Sequence, residues 1–180
     1  MQWFNEPQNW SDDGKVIRIT SDPKTDFWRK THYGFIRDNG HFYHQPVKGP
    51  FEARVRFVAT YKDLYDQAGL MVREDEATWM KCGIEFVHGR QFVSAVVTRD
   101  FSDWSVMPLS QPPEALWLRV IRDEATVEVS FSLDSVDYTM IRTAHLSPAQ
   151  SVDVGVMCAS PEGGGFESVF DGFSVGALER

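Results

Sequence analysis

The chain has 180 residues, 42% of them hydrophobic and 24% charged, proportions of a soluble globular protein with enough length for a sizeable core. Its formal net charge of -8 argues against a nucleic-acid partner, which needs a basic patch. No run reaches the roughly 20 apolar residues that span a bilayer, and Met1-Gln2-Trp3-Phe4-Asn5-Glu6-Pro7 has neither the basic start nor the apolar run of an export signal. A cytoplasmic protein of one domain, residues 1–180, that engages neither nucleic acid nor membrane is expected.

In chain order, Asp12-Asp13-Gly14 signals a turn before the β-rich run Val16 to Thr20, which predicts a first strand pair. Ser21 to Arg29 reads as a loop that carries Phe27 and Trp28. Asp38-Asn39-Gly40 is a tight turn leading into His41-Phe42-Tyr43-His44. Phe51 to Val58 alternates, with Phe51, Ala53, Val55 and Phe57 on one face and Glu52, Arg54 and Arg56 on the other, the pattern of a half-buried antiparallel strand.

Three strand-length runs follow: residues 66–73, 79–87 and 92–99. Ser102-Asp103-Trp104-Ser105 reads as a polar loop around one indole, and Pro108, Pro112 and Pro113 keep 108–114 irregular. Trp117 to Arg122 and Thr126 to Leu133 predict a hairpin around Asp123-Glu124-Ala125, with further strands over 138–142, 152–159 and 166–175. Ser160 to Gly165, with three glycines, reads as a flexible loop. Residues 75–79 and 146–152 are at most short turns, and no apolar stripe of helical length occurs. Short strands at regular spacing without helices predict an all-β sandwich or jelly roll.

Side chains alternate between the two faces of a strand. If Leu70 and Val72 point inward, then Gln67, Gly69, Met71 and Arg73 share the opposite face with Lys81, Gly83 and Glu85, and with Ser94, Val96 and Thr98. Amide, ammonium, carboxylate and hydroxyl groups are the donors and acceptors that sugar hydroxyls need. Glycines at 69 and 83 would leave the face open to a ligand, and Trp104 and Trp28 would supply apolar platforms. Gln67, Arg73, Lys81, Glu85, Thr98 and Trp104 are therefore the candidate ligand-binding residues. A solvated sheet face with Lys81 and Glu85 as an ion pair is the plainer alternative.

The runs DQAGLMVR, WMKCGIE, SAVVTRDFSDWS, WLRVIR and VGVMCASPEGGGFESVFDGF resemble an uncharacterised family of the concanavalin A-like lectin/glucanase superfamily, the family that includes the fungal regulation-of-enolase protein. The resemblance covers about Trp3 to Val175, and Asp66-Gln67-Ala68-Gly69-Leu70 is its most specific part. It implies a jelly-roll sandwich of two curved antiparallel sheets, with a concave face where relatives of the superfamily hold sugars. It implies no activity. The sequence departs from the glucanases, which carry Glu-x-Asp-x-x-Glu on one strand; here residues 79–87 supply only Glu85. The Asp/Asn-rich loop that holds calcium and manganese in legume-type lectins is also missing.

A glycosidase needs two carboxyls, and Glu85 with Glu52 or Asp66 is the conceivable pair, with Glu85 as the catalytic candidate. His41 and His44 sit three apart, on opposite faces of an extended segment, with no Cys or carboxylate cluster beside them, so no metal is expected. Gly163-Gly164-Gly165 lacks the Lys and helix of a phosphate cradle, and no cofactor is expected. Cys82 and Cys158, both on apolar faces, read as buried free thiols, with a single bridge as the alternative. Three functional readings follow: a binder of a carbohydrate-like or sugar-phosphate-like small molecule, a sugar hydrolase or isomerase, and a module with an unidentified protein partner.

Overall fold

The computed structural model describes residues 1–178, and none of them is helical. In chain order the strands are β1 (Gln2–Phe4), β2 (Asn9–Asp12), β3 (Val16–Thr20), β4 (Phe27–Arg29), β5 (Ile36–Asp38) and β6 (His41–Lys48). Then come β7 (Phe51–Ala59), β8 (Gln67–Arg73), β9 (Thr78–Val87), β10 (Arg90–Arg99) and β11 (Phe101–Pro108). The last five are β12 (Leu116–Asp123), β13 (Thr126–Ser132), β14 (Thr139–His145), β15 (Ser151–Ala159) and β16 (Glu167–Ala177).

Two seven-stranded sheets result, β1-β6-β15-β8-β9-β10-β11 and β14-β13-β12-β7-β16-β3-β2, and a separate ribbon, β4-β5. Every ladder within the two sheets is antiparallel. Insertion of β15 between β6 and β8, and of β16 between β7 and β3, makes the crossovers of a concanavalin A-like jelly-roll sandwich. Alternation decides which residues meet between the sheets. Leu70, Val72, Cys82, Ile84, Ala95 and Val97 from the first sheet pack on Phe57, Leu118, Val120, Val129 and Phe170 from the second. Each large apolar side chain so buried contributes about 1.5–3 kcal/mol.

The expected parity of β8, β9 and β10 holds, but their outer face is not open. The β4-β5 ribbon lies over it, and Phe27, Trp28, Met71, Trp79, Val96 and Met157 form a second apolar cluster there. The segment read as a loop over 21–29 thus contains a strand, because Phe27 and Trp28 have a second apolar surface to bury against. Trp104 also lies in a strand rather than in a loop: β11 pairs with β10 along its whole length, from Arg99↔Phe101 to Phe92↔Pro108. Asp100, at φ 63°, makes that hairpin tight, and ladder hydrogen bonds outweigh the polar composition of residues 102–105.

The loop of Ser160 to Gly165 is tied down at several points. Ser160 Oγ donates to Asp66 Oδ1 at 2.6 Å, Ser160 N donates to Thr25 Oγ1 at 3.0 Å, and Gly164 N donates to Asp63 Oδ2 at 3.2 Å. Both cysteines are free and buried, and burial pushes each thiol pKa up to about 12.

Candidate functional site

Where the ribbon stops short of covering the first sheet, a cleft of about 120 Å³ remains. Its floor is Gln67 on β8, Lys81 and Glu85 on β9, and Val96 on β10. Trp104 on β11 stands at one side, and Trp28, Tyr33 and Phe35 of the ribbon overhang it. Tyr65, Arg37 and Glu162 complete the rim. The register puts Gln67 opposite Glu85 and Val96 opposite Lys81, so strand pairing alone brings these groups together.

The polar floor divides into two networks. In the first, Lys81 Nζ donates to Phe27 O at 2.7 Å and to Gln67 Oε1, and lies 3.5 Å from Asp26 Oδ1. Gln67 Nε2 donates to Tyr65 O at 3.1 Å and to Asp26 Oδ1 at 3.4 Å. Lys81 therefore pairs with Asp26 and not with Glu85. In the second, Glu85 Oε2 accepts from Ser94 Oγ at 2.9 Å and from Trp104 Nε1 at 2.8 Å. Glu85 Oε1 takes no hydrogen bond from the described residues. The indole is thereby held on edge beside the carboxylate, while Trp104 itself stays 36% exposed.

Burial raises the Glu85 pKa, and this outweighs the nearby Lys81 charge and the Ser94 and Trp104 hydrogen bonds, which lower it. At the rim, Tyr33 OH and Tyr65 OH are 3.4 Å apart, and that contact, with burial, pushes Tyr65 up to about 12. A carboxyl whose folded pKa lies above the unfolded one binds more protons in the folded state through that window. Its contribution is fully present below the ordinary value near 4.5 and is lost as pH rises through the folded value. Glu85→Gln is therefore expected to melt higher than wild type at pH 7, with the two melting curves converging as pH falls below the ordinary carboxylate range. A variant that melts lower at pH 7 would show that the ionised carboxylate is well accommodated.

Four of the six expected binding residues do meet at this cleft: Gln67, Lys81, Glu85 and Trp104. The other two pin the ribbon instead. Arg73 clasps Asp38 on β5 through two 2.8 Å hydrogen bonds and lies over the Phe4 ring. Thr98 Oγ1 is 2.9 Å from Ser102 Oγ, which accepts from Arg29 N at 2.9 Å. Neither expected carboxylate partner of Glu85 is available. Glu52 lies on β7 of the other sheet with Arg54, and Asp66 is fully buried, bonded by Ser160 and the amides of Lys62 and Asp63. Asp26, in the stretch read as a loop, and Glu162, at the rim, are the other carboxylates of the cleft; no periodicity marks either.

Gly69 and Gly83 do not open the face to a ligand. They face each other across the β8–β9 ladder, where a Cβ at Gly83 would lie 2.0 Å from Ala68 O. His41 accepts from Asp22 N through Nε2 at 2.9 Å, which leaves Nδ1 to donate to Asn5 O at 2.7 Å, and burial lowers its pKa. It is a neutral structural group.

Fold and site together define a class: a concanavalin A-like β-sandwich whose concave sheet is largely roofed by a ribbon, leaving one small aromatic-walled cleft with a carboxylate. The family described as "Protein of unknown function (DUF1349)" matches residues 3–178, and this chain belongs to it. Regulation of enolase protein 1 of Saccharomyces cerevisiae is 37% identical over 175 residues, covering 97% of this chain and 88% of that protein. A crystal structure of a functionally unknown protein from Saccharomyces cerevisiae superposes with a TM-score of 0.96 at 36% identity, covering 99% and 97% of the two chains. The carbohydrate-binding module CBM66 from Bacillus subtilis shares the fold, with a TM-score of 0.61 at 13% identity over 97% of this chain and 95% of that one.

Proposed function

We propose that the protein binds a carbohydrate or sugar-phosphate-like small molecule in the cleft between the ribbon and the concave sheet. One observation carries this reading: Glu85 presents an unpartnered oxygen in a small cavity beside an indole that its other oxygen holds upright. A sugar ring offers an apolar face and a polar edge. Trp104 and Trp28, perpendicular at 6.5 Å, form an aromatic corner for the face, and Glu85 Oε1 accepts from a hydroxyl at the edge. A cavity of about 150 Å³ holds one benzene ring, so 120 Å³ that opens to solvent suits a single ring. The likeness to a carbohydrate-binding module agrees with this at the level of the fold.

Hydrolysis by Glu85 would need a second free carboxyl, about 5 Å away for retention or about 6.5–9.5 Å for inversion. Asp26 and Glu162 share the cleft, but Asp26 Oδ1 accepts from Phe27 N at 2.8 Å and lies by Gln67 and Lys81, and Glu162 lies 3.8 Å from Lys24 and 3.8 Å from Arg37. That arrangement holds the ribbon, and it favours binding over turnover. The yeast relative's name suggests a regulatory module of carbohydrate metabolism as the other reading.

Thermal shift against monosaccharides, oligosaccharides and sugar phosphates tests the proposal. A ligand at 100 times its Kd is expected to stabilise wild type by about 2.7 kcal/mol. Trp104→Ala, each protein compared with its own unliganded form, is expected to lose most of that shift. No shift with any sugar would sink the binding reading and move the search to a protein partner.

A further inference from the structure

The charged groups that line the cleft are Asp26, Arg37, Lys81, Glu85 and Glu162. All but one of them pair off. Lys81 Nζ lies 3.5 Å from Asp26 Oδ1, and Arg37 Nη1 lies 3.8 Å from Glu162 Oε1, with its guanidinium 4.7 Å from the Phe35 ring centre. Glu85 is left over: it is 7% exposed, and no ammonium or guanidinium among the described residues makes an ion pair with it. Its hydrogen bonds, from Ser94 and Trp104, come from neutral donors and go to Oε2, while Oε1 is left to the cleft. A buried carboxylate is costly until something supplies its counter-charge.

The rest of the wall favours the same sign of ligand. Trp28, Tyr33, Phe35, Tyr65 and Trp104 line the cleft, and an aromatic ring presents a negative face that attracts a cation. At the rim, the Tyr33 contact and burial push the Tyr65 phenol up to about 12, and the charges of Glu85 and Glu162 add to that rise. We infer that the ligand is an amino sugar, its ring in the aromatic corner and its ammonium on Glu85 Oε1. The inference rests on the sugar reading of the cleft and names the class within it: amino sugar ahead of neutral sugar, with sugar phosphate last. The amine is one bond from the ring, so ring and charge are seated together in one cleft of about 120 Å³. Lys81 does not compete for the site, since Phe27 O, Gln67 Oε1 and Asp26 Oδ1 already surround its ammonium.

Calorimetry with glucosamine, galactosamine and mannosamine, each beside its neutral parent, its N-acetyl form and the parent's 6-phosphate, tests this. At least one amine is expected to bind about tenfold tighter than its parent and than its N-acetyl form, which keeps the nitrogen but loses the charge. That gain is expected to shrink with added salt. In Glu85→Gln, which keeps the shape of the side chain, the ratio of amine to parent is expected to fall to about one. The wild-type comparison decides the class even where Glu85→Gln binds too weakly to measure. Amines and parents that bind wild type equally, or a 6-phosphate that outbinds every amine, would overturn the amino-sugar class and leave the sugar reading intact. An amine preference that survives in Glu85→Gln would refute the seat on Glu85. Tetramethylammonium is the ring-free control: its binding without that of any sugar, or no binding at all, would sink the sugar reading and the amino sugar with it.

Discussion

Lys81→Met is expected to destabilise the protein by about 3–5 kcal/mol, the usual cost of removing one partner from a buried ion pair. Lys81 is only 5% exposed, and its ammonium has three acceptors in reach: Phe27 O, Gln67 Oε1 and Asp26 Oδ1. Methionine keeps most of the apolar stem but satisfies none of them. Asp26, itself 7% exposed, would be left as a buried carboxylate without its counter-charge. For a chain of this length, such a loss corresponds to a fall in melting temperature of roughly 10 °C. Adding Asp26→Asn is expected to recover part of the loss, since the stranded charge is the larger share of it. Urea denaturation of wild type and of the single and double variants reads this directly. An unchanged midpoint for Lys81→Met would mean that the ribbon is held by its apolar cluster alone. Because Trp28, Tyr33 and Phe35 ride on that ribbon, the same variant is expected to weaken ligand binding.

Gly83→Ala is expected to cost at least about 3 kcal/mol, beyond the common range for an overpacked site. The obstacle is backbone and not a flexible side chain. A Cβ there would lie 2.0 Å from Ala68 O and 2.8 Å from Gly69 Cα, so the β8–β9 ladder would have to part. That ladder sets Gln67 opposite Glu85, so any protein that still folds is expected to bind ligand poorly. Gly176→Ala is the control. Nothing lies within 4 Å of its Cβ, and the change is expected to be neutral or stabilising by up to about 1 kcal/mol. Equal melting temperatures for the two variants would show that the two strands can separate locally at little cost.

Much of the architecture is legible in the chain because a strand's two-residue period is written directly in its side chains. The alternation of Phe51 to Val58, of Lys81 to Phe86 and of Val127 to Phe131 announces strands with one face on the core, although Leu133, at the end of the last pattern, is exposed. The parity of Gln67, Lys81, Glu85 and Ser94 assigns them to one face. The turn residues Asp12-Asp13-Gly14 and Asp38-Asn39-Gly40 mark connections that the structure contains. Trp104 was legible as a residue, from its type, but not as part of a strand. Its hydrogen bond to Glu85 depends on β11 pairing with β10, and residues 102–105 carry no strong β signal of their own.

The sequence by itself determined the class of fold and the membership of one sheet face. Both follow from local alternation and turn chemistry, which act between residues near in the chain. Tertiary structure alone decided what that face became. The ribbon of residues 27–38 lies on it because Phe27 and Trp28 find Met71, Trp79, Val96 and Met157 there, contacts that span 40 to 130 positions of chain, roughly, and leave no periodic mark. That docking turned Arg73 and Thr98 from ligand contacts into fastenings and brought Asp26 to Lys81. It left Glu85 at the edge of the cover, where burial holds its pKa up and one oxygen faces the cleft.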